Sequence, residues 1–171
     1  AKAIIDHSIT DDDIILGITT SSSTPFVLGA LEKANEIGAL TGLIICNTPP
    51  PLQYVDHIIA IIVGPEVITG STRMKAGTAT KLVLNMITTT LMIKLNKTYG
   101  NLMVDLKASN KKLWDRGTRI ITRLTGLNYQ DSLDLLKSAE GEVKTAVVMK
   151  QQNCTYDEAV QLLNNVKGSL K

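Results

Sequence analysis

Three short runs of consecutive apolar residues constrain the fold of this chain more than any other feature. They occupy residues 13–18, 41–47 and 57–63, and branched aliphatic side chains dominate them. Continuous runs of this length are typical of strands that are buried on both faces, as in parallel sheets. Residues 26–37, between the first two runs, have the pattern of a helix that Gly38 ends. The order of strand, helix, strand, loop and strand therefore predicts an α/β fold with a parallel sheet.

Two loops rich in hydroxyl groups follow predicted strands, at residues 19–24 and 64–78. Ligands of parallel α/β sheets bind beyond the carboxyl ends of the strands. Because both loops follow strands, we expect them to lie together at that edge of the sheet and to form a ligand site.

The second loop has the composition of an anion site. Residues 64–81 contain three glycines, one carboxylate and three cations, and they lead into an apolar helix. Backbone N–H groups at a helix start attract anions, and glycines let a ligand approach the backbone. The residues predicted to complete a site for a phosphorylated or acidic small molecule are Ser71, Thr72, Arg73 and Lys75. The alternative is that Ser71 or Thr72 caps the helix and that the cations are solvated.

The helix predicted over residues 79–93 is unusually apolar. Between residues 82 and 93 it is apolar almost all round. A helix of that kind is normally buried on more than one side. We expect either a subunit interface or a covering helix of the same chain to bury it.

Beyond Gly100 the composition becomes more polar. Four amphipathic segments follow, at residues 109–124, 129–138, 142–152 and 156–164. We expect a linking helix and then about three short helices, with Thr155 as the N-cap of the last one. The basic residues along the linking helix are interpreted as a solvated face. The chain is therefore predicted to divide into residues 1–106, which contain the sheet, and residues 107–171, which form a helical appendage.

Composition argues against several classes of protein. The net charge is +2, from 18 basic and 16 acidic residues, and the aromatic content is 4%, so we expect no nucleic-acid partner. The apolar runs are too short to span a membrane. Cys46 and Cys154 are not clustered, which indicates reduced thiols and a cytoplasmic protein. His7 and His57 lie far apart, so no metal site is predicted. The start at Ala1 leads us to expect a fragment of a longer protein.

Three stretches carry a resemblance to a known family. Residues 64–81, 82–86 and 99–105 closely resemble the N-acetylmuramic acid 6-phosphate etherase family, and the turn at 17–27 and Cys46-Asn47 fit it too. The chain resembles only the carboxyl-terminal part of these enzymes. The glucokinase regulatory protein is a more distant relative with similar loops.

The resemblance implies a sugar-isomerase (SIS) fold, which is a flavodoxin-like parallel sheet flanked by helices, with a helical tail. Residues 1–106 would be the carboxyl-terminal part of an SIS domain, incomplete at its amino end. The resemblance also implies a phosphorylated amino sugar as ligand and a homodimer, with no metal or redox cofactor. The family's reaction splits the D-lactyl ether at sugar C3 by elimination and hydration, and it yields N-acetylglucosamine 6-phosphate and D-lactate.

Site residues follow from matching the family motifs. Ser21, Ser23 and Thr24 are expected to contact ligand hydroxyl or phosphate groups, beside the residues of the second loop named above. Glu66 matches a glutamate of the later loop motif. It is included among the binding residues, and its alternative role is to tie down that loop through N–H groups or Lys75.

Two departures from the family pattern limit this inference. The two catalytic glutamates of the family lie in segments without a counterpart here, so no catalytic residue is assigned and the isolated chain is expected to be inactive. The family turn usually reads Ser-Gly-Arg-Thr, whereas this chain has Ser21-Ser22-Ser23-Thr24. If the turn needs a left-handed backbone, the lost Gly costs roughly 1–2 kcal/mol. The lost Arg removes a bidentate anion donor.

Three interpretations remain open at this stage. The chain is part of an etherase-like enzyme, a regulatory module that senses a phosphosugar, or a structural domain that has kept the loops without binding. Unchanged phosphosugar affinity after Lys75→Ala would favour the third. A sheet without its first strands would expose an apolar edge, so we also expect a missing amino-terminal half or self-association to cover it.

Overall fold

The computed structural model describes residues 1–170, which form two compact units that divide between Met86 and Ile87. The first unit contains α1 (Lys2–Asp6), β1 (Ile14–Thr19), α2 (Pro25–Ile37), β2 (Leu40–Ile45), β3 (His57–Ala60) and the start of α3 (Lys75–Lys94). The second contains the rest of α3, β4 (Thr98–Tyr99), β5 (Leu102–Met103), α4 (Lys111–Thr125), α5 (Tyr129–Ser138), α6 (Val143–Gln152) and α7 (Tyr156–Asn165).

The first unit is built on a parallel sheet in the order β1-β2-β3. Leu16 of β1 pairs with Gly42 of β2, which in turn pairs with His57 of β3. The predicted α/β fold class is confirmed, and the arrangement fits an SIS-like fold with a helical tail. The third strand ends at Ala60, three residues before the apolar run does, although Ile61 N–H still donates to the Ile45 carbonyl at 2.7 Å.

Helix α2 covers one face of this sheet. Pro25 stands at its first turn, and Gly38 ends it with φ 94°, as the sequence predicts. Leu31 packs with Leu43 and Ile45 in a fully buried cluster. Gly17 of β1 lies directly beneath the helix, where an added Cβ would come within 2.8 Å of Leu31. The close approach of α2 to β1 fixes the position of the turn between them.

Helix α3 begins four residues earlier than predicted, at Lys75 rather than Ala79. Of its described side chains only Ala76 is buried. Leu82 is 51% exposed and Met86 is 60% exposed. On β1, Ile14, Leu16 and Ile18 are also exposed, on one face of the strand. The sequence predicts that α3 is buried on two sides. The described residues of the first unit do not provide this burial.

The second unit has its own apolar core. Its fully buried members include Val104, Ile121, Leu136, Val143 and Val147. The predicted linking helix and three short helices are confirmed as α4 to α7. Thr155 caps α7 as predicted, in a capping box with Glu158. Sequence analysis missed the antiparallel pairing of β4 with β5, because two-residue strands carry no periodic signal.

Val104 and Leu106 lie in this helical core, although they precede the predicted division after residue 106. The division of the chain into two domains after residue 106 stays a prediction. Among residues 1–170, no helix is long and apolar enough to cross a membrane. The same residues contain no group of three or more His, Cys, Asp or Glu side chains that could hold a metal ion.

Candidate functional site

A cleft of about 430 Å³ with polar and apolar walls opens within the first unit, beyond the carboxyl ends of the strands. Thr20 follows β1, Cys46 and Asn47 follow β2, and the loop between β3 and α3 supplies the opposite wall. That wall includes Gly64, Glu66 and Thr72. The size falls in the range of small-ligand pockets, which is about 300–1,000 Å³.

The carboxylate of Glu66 caps the start of α3. Its Oε2 accepts a hydrogen bond from Lys75 N–H at 3.1 Å, and its Oε1 accepts one from Ala76 N–H at 3.0 Å. The next two N–H groups of the helix donate to the carbonyls of Thr72 and Met74. Each N–H group from Lys75 to Thr78 therefore has an acceptor inside the chain. A ligand anion at this loop would have to bind side chains instead of these amides.

Lys75 also serves the loop in which it stands. Its Nζ donates to the Pro65 carbonyl at 2.8 Å, across ten residues of chain. Together with Glu66, this contact closes the loop at its base. The side chain that caps α3 is therefore that of Glu66. The alternative prediction, that Ser71 or Thr72 caps this helix, is wrong. Arg73 is exposed and, within the described chain, forms no salt bridge.

The first loop is a cluster of hydroxyl groups. The Oγ1 atoms of Thr19 and Thr24 lie 2.7 Å apart, and Ser21 Oγ lies 3.2 Å from Thr24 Oγ1. Neither Ser22 nor Ser23 has a positive φ. The strain expected from losing the family glycine is therefore not incurred, because the turn folds without a left-handed residue.

The structure brings together part of the predicted set. Glu66 and Thr72 line the cleft. Ser71, Arg73 and Lys75 stand in the same loop outside its lining, and the lining does not include Ser21, Ser23 or Thr24. Sequence analysis missed Thr20, Cys46 and Asn47 as cleft residues. Their position immediately after β1 and β2 was the available signal.

Cys46 fixes the floor of the cleft. The residue is buried, and its Sγ lies 3.3 Å from Thr80 Oγ1 and 3.7 Å from the Ala76 carbonyl. These contacts join the end of β2 to the first turns of α3. The helix start is thus held from two sides, by the thiol and by the carboxylate of Glu66.

Acidification is expected to loosen this helix start. Hydrogen bonds from the backbone N–H groups of Ala76 and Lys75 lower the pKa of Glu66 from its ordinary value of 4.5. A lowered pKa means that the stabilisation is complete above about pH 4.5 and is lost as the pH falls through the lower folded-state pKa. The protection factors of the Lys75 and Ala76 amides, which are exchange rates corrected for their intrinsic pH dependence, should fall in that window. In Glu66→Gln they should already be lower at pH 7 and should not change with pH in this range. Identical exchange profiles in both proteins would contradict the capping role.

Comparison with known proteins finds relatives that are similar over almost the whole chain. A family model described as the C-terminal lid domain of glucokinase regulatory protein matches residues 100–142. The chain is 49% identical over 169 residues to an N-acetylmuramic acid 6-phosphate etherase of Oceanobacillus iheyensis, covering 98% of this chain and 58% of the relative. For the etherase of Clostridium acetobutylicum the identity is 52% over 169 residues, covering 96% and 55%. For that of Geobacillus thermodenitrificans it is 46% over 164 residues, covering 95% and 56%.

The parallel sheet and the helical tail fit an SIS-like α/β fold. Over almost its whole length the chain is similar to part of the N-acetylmuramic acid 6-phosphate etherases. It spans a little more than half the length of the curated relatives it matches.

Proposed function

We propose that this chain is the phosphosugar-binding part of an etherase that splits the D-lactyl ether of N-acetylmuramic acid 6-phosphate. Elimination and hydration would give N-acetylglucosamine 6-phosphate and D-lactate. The observation that carries the proposal is the identity of 46–52% to named etherases over almost the whole chain. A cytoplasmic location is proposed with it, as a setting for amino-sugar catabolism.

The polar wall of the cleft supports a sugar ligand. Hydroxyl groups of Thr20 and Thr72 and the amide of Asn47 can exchange hydrogen bonds with sugar hydroxyls. Arg73 is an exposed cation in the same loop and can pair with a phosphate group. The proposed contact residues remain Ser21, Ser23, Thr24, Glu66, Ser71, Thr72, Arg73 and Lys75, with Glu66 and Lys75 acting by holding the loop.

Glu66 is poorly suited to acid catalysis. Both of its oxygens accept backbone hydrogen bonds, and its pKa is lowered by them. A general acid at neutral pH needs a raised pKa. We therefore propose that the carboxylates for proton transfer come from another part of the protein or from a second subunit, and that the isolated chain is inactive. A homodimer or the amino-terminal half would also cover the apolar face of β1.

Calorimetric titration with N-acetylglucosamine 6-phosphate tests the proposal, with N-acetylglucosamine as the unphosphorylated control. Arg73→Ala should weaken binding of the phosphorylated sugar by about tenfold, the worth of one charge-assisted hydrogen bond. Arg123→Ala removes another exposed arginine, in α4, and should leave the affinity unchanged. Equal affinity for both sugars would contradict a phosphosugar site.

The same preparations should release no D-lactate from N-acetylmuramic acid 6-phosphate. Turnover by the purified chain would show that its own carboxylates catalyse the reaction. It would then be necessary to assign Glu66 or another acidic residue of this chain to proton transfer.

A second candidate function has one specific observation in its favour. The match of residues 100–142 to the lid domain of a regulatory protein is compatible with a module that senses a phosphosugar without converting it. An upstream segment with the two family glutamates in the natural protein would favour the enzyme. Phosphosugar binding in a natural protein without that segment would favour the sensor.

A further inference from the structure

A second pocket, of about 440 Å³, lies entirely within the helical unit. It is bounded by the segment before β4, the chain between β5 and α4, the start of α6 and the end of α7. Six charged side chains line it: Lys97, Asp105, Lys107, Glu142, Lys144 and Lys167. We call it the lysine pocket. The lining contains four lysines and two carboxylates, which leaves a formal surplus of two positive charges.

The carboxylates are already shared among the lysines. Asp105 Oδ1 lies 3.0 Å from Lys144 Nζ, while its Oδ2 pairs with Lys97. The Lys107 Nζ lies 3.0 Å from Glu142 Oε1. Lys167 enters none of the ion pairs formed by the described residues. One carboxylate thus pairs with two lysines, and Lys167 has no acidic partner among residues 1–170.

The burial of Lys144 strengthens the effect of this surplus positive charge. The Lys144 side chain is only 10% exposed. Val104, Leu106, Val143 and Leu163 supply apolar surface around it. An ammonium group that is removed from water needs an opposite charge nearby. Apolar walls also reduce the solvent screening of the other charges in the pocket. Burial opposes ionisation of Asp105, yet hydrogen bonds from Lys97 and Lys144 leave its pKa below the ordinary value. Asp105 therefore stays charged and is fully used by these two lysines.

We propose that the lysine pocket binds a compact phosphate dianion, either inorganic phosphate or the phosphate group of a monoester. A phosphate dianion carries close to two negative charges and has three exposed acceptor oxygens. It therefore matches the formal surplus of two positive charges among the residues that line the pocket. Lysines act as point-charge partners of phosphate, without the planar geometry that arginine imposes. This site is separate from the cleft of the first unit and does not depend on the function proposed for that cleft.

The test is a ¹⁵N amide NMR titration of the full chain with sodium phosphate at constant ionic strength, with sodium chloride as the matched control salt. We expect saturable shifts at Lys97, Thr145 and Gly168 with phosphate and none with chloride. Lys167→Gln should weaken phosphate binding by about fivefold, the upper range for one exposed charge pair. Gln removes the charge and keeps most of the side-chain length. Because Lys and Gln both carry a Cβ, the φ of 52° at this position adds no further strain.

Lys150→Gln is the matched control. Lys150 is an exposed lysine of α6 outside the pocket lining, and its replacement should leave the phosphate affinity unchanged. Equal shifts with chloride, no saturation, or the same affinity in the Lys167→Gln protein would overturn the proposal. Shifts confined to Thr20, Asn47 and Thr72 would also overturn it, because phosphate would then bind only in the first unit's cleft. A repeat with N-acetylglucosamine 6-phosphate separates the two sites. If N-acetylglucosamine 6-phosphate does not shift the amide signals of the cleft, that result counts against the proposed function and not against the lysine pocket.

Discussion

Leu136→Ala is expected to destabilise the helical unit by about 2–5 kcal/mol, the usual cost of truncating a buried leucine. Leu136 is 0% exposed, and it packs with Val143 and Ile121 in the core of that unit. An added Cβ at Gly117 would come within 2.9 Å of its Cδ2, so α4 lies almost against this side chain. The alanine would leave a cavity between elements that are already packed too tightly to collapse freely.

The single tryptophan makes this prediction easy to measure. Trp114 packs against the same core, so its fluorescence follows unfolding of the helical unit in a urea titration. Leu162→Ala on α7 is the control, because Leu162 is 44% exposed and should cost less than about 1 kcal/mol. Similar losses in both variants would mean that the core is not centred on Leu136.

Two Gly→Ala substitutions should move stability in opposite directions. At Gly17 the new Cβ would lie 2.7 Å from Val27 Cγ1 and 2.8 Å from Leu31 Cδ1. Leu31 is fully buried and cannot swing away, so overpacking should cost about 1–3 kcal/mol. At Gly29, inside α2, the nearest atom to an added Cβ is Ala1 N at 3.9 Å. There alanine should add about 0.5–1 kcal/mol, because glycine is a poor helix former.

Hydrogen exchange of β2 amides reports on both substitutions. Exchange should accelerate in Gly17→Ala and slow in Gly29→Ala, relative to the unchanged chain. Two variants with protection equal to that of the parent would show that α2 can lift from β1 without loss of stability. The turn at residues 19–24 follows β1 directly, so its position is expected to shift in Gly17→Ala only.

The architecture could be predicted because its signals are local. Apolar runs marked the strands, Gly38 and Thr155 marked helix ends, and the four tail segments agree with α4 to α7 within two residues at each end. The start of α3 was not predictable in the same way. It depends on the carboxylate of Glu66, nine residues upstream of Lys75, and no local rule pairs those positions.

The candidate site was only partly predictable for a similar reason. Sequence patterns identified the two loops, but they could not show which side chains face the cleft. The lysine pocket left no sequence motif at all, since Lys97, Lys144 and Lys167 come from distant segments. Only the tertiary arrangement brings them around Asp105.

The double closure of the loop between residues 65 and 76 has a thermodynamic consequence for binding. Glu66 holds the N–H groups of Lys75 and Ala76, while the Lys75 ammonium holds the Pro65 carbonyl. The conformational entropy of ordering this segment is therefore lost during folding, before any ligand arrives. A ligand that meets Thr72 or Arg73 encounters a preorganised surface, and its affinity is not reduced by the cost of closing a mobile loop.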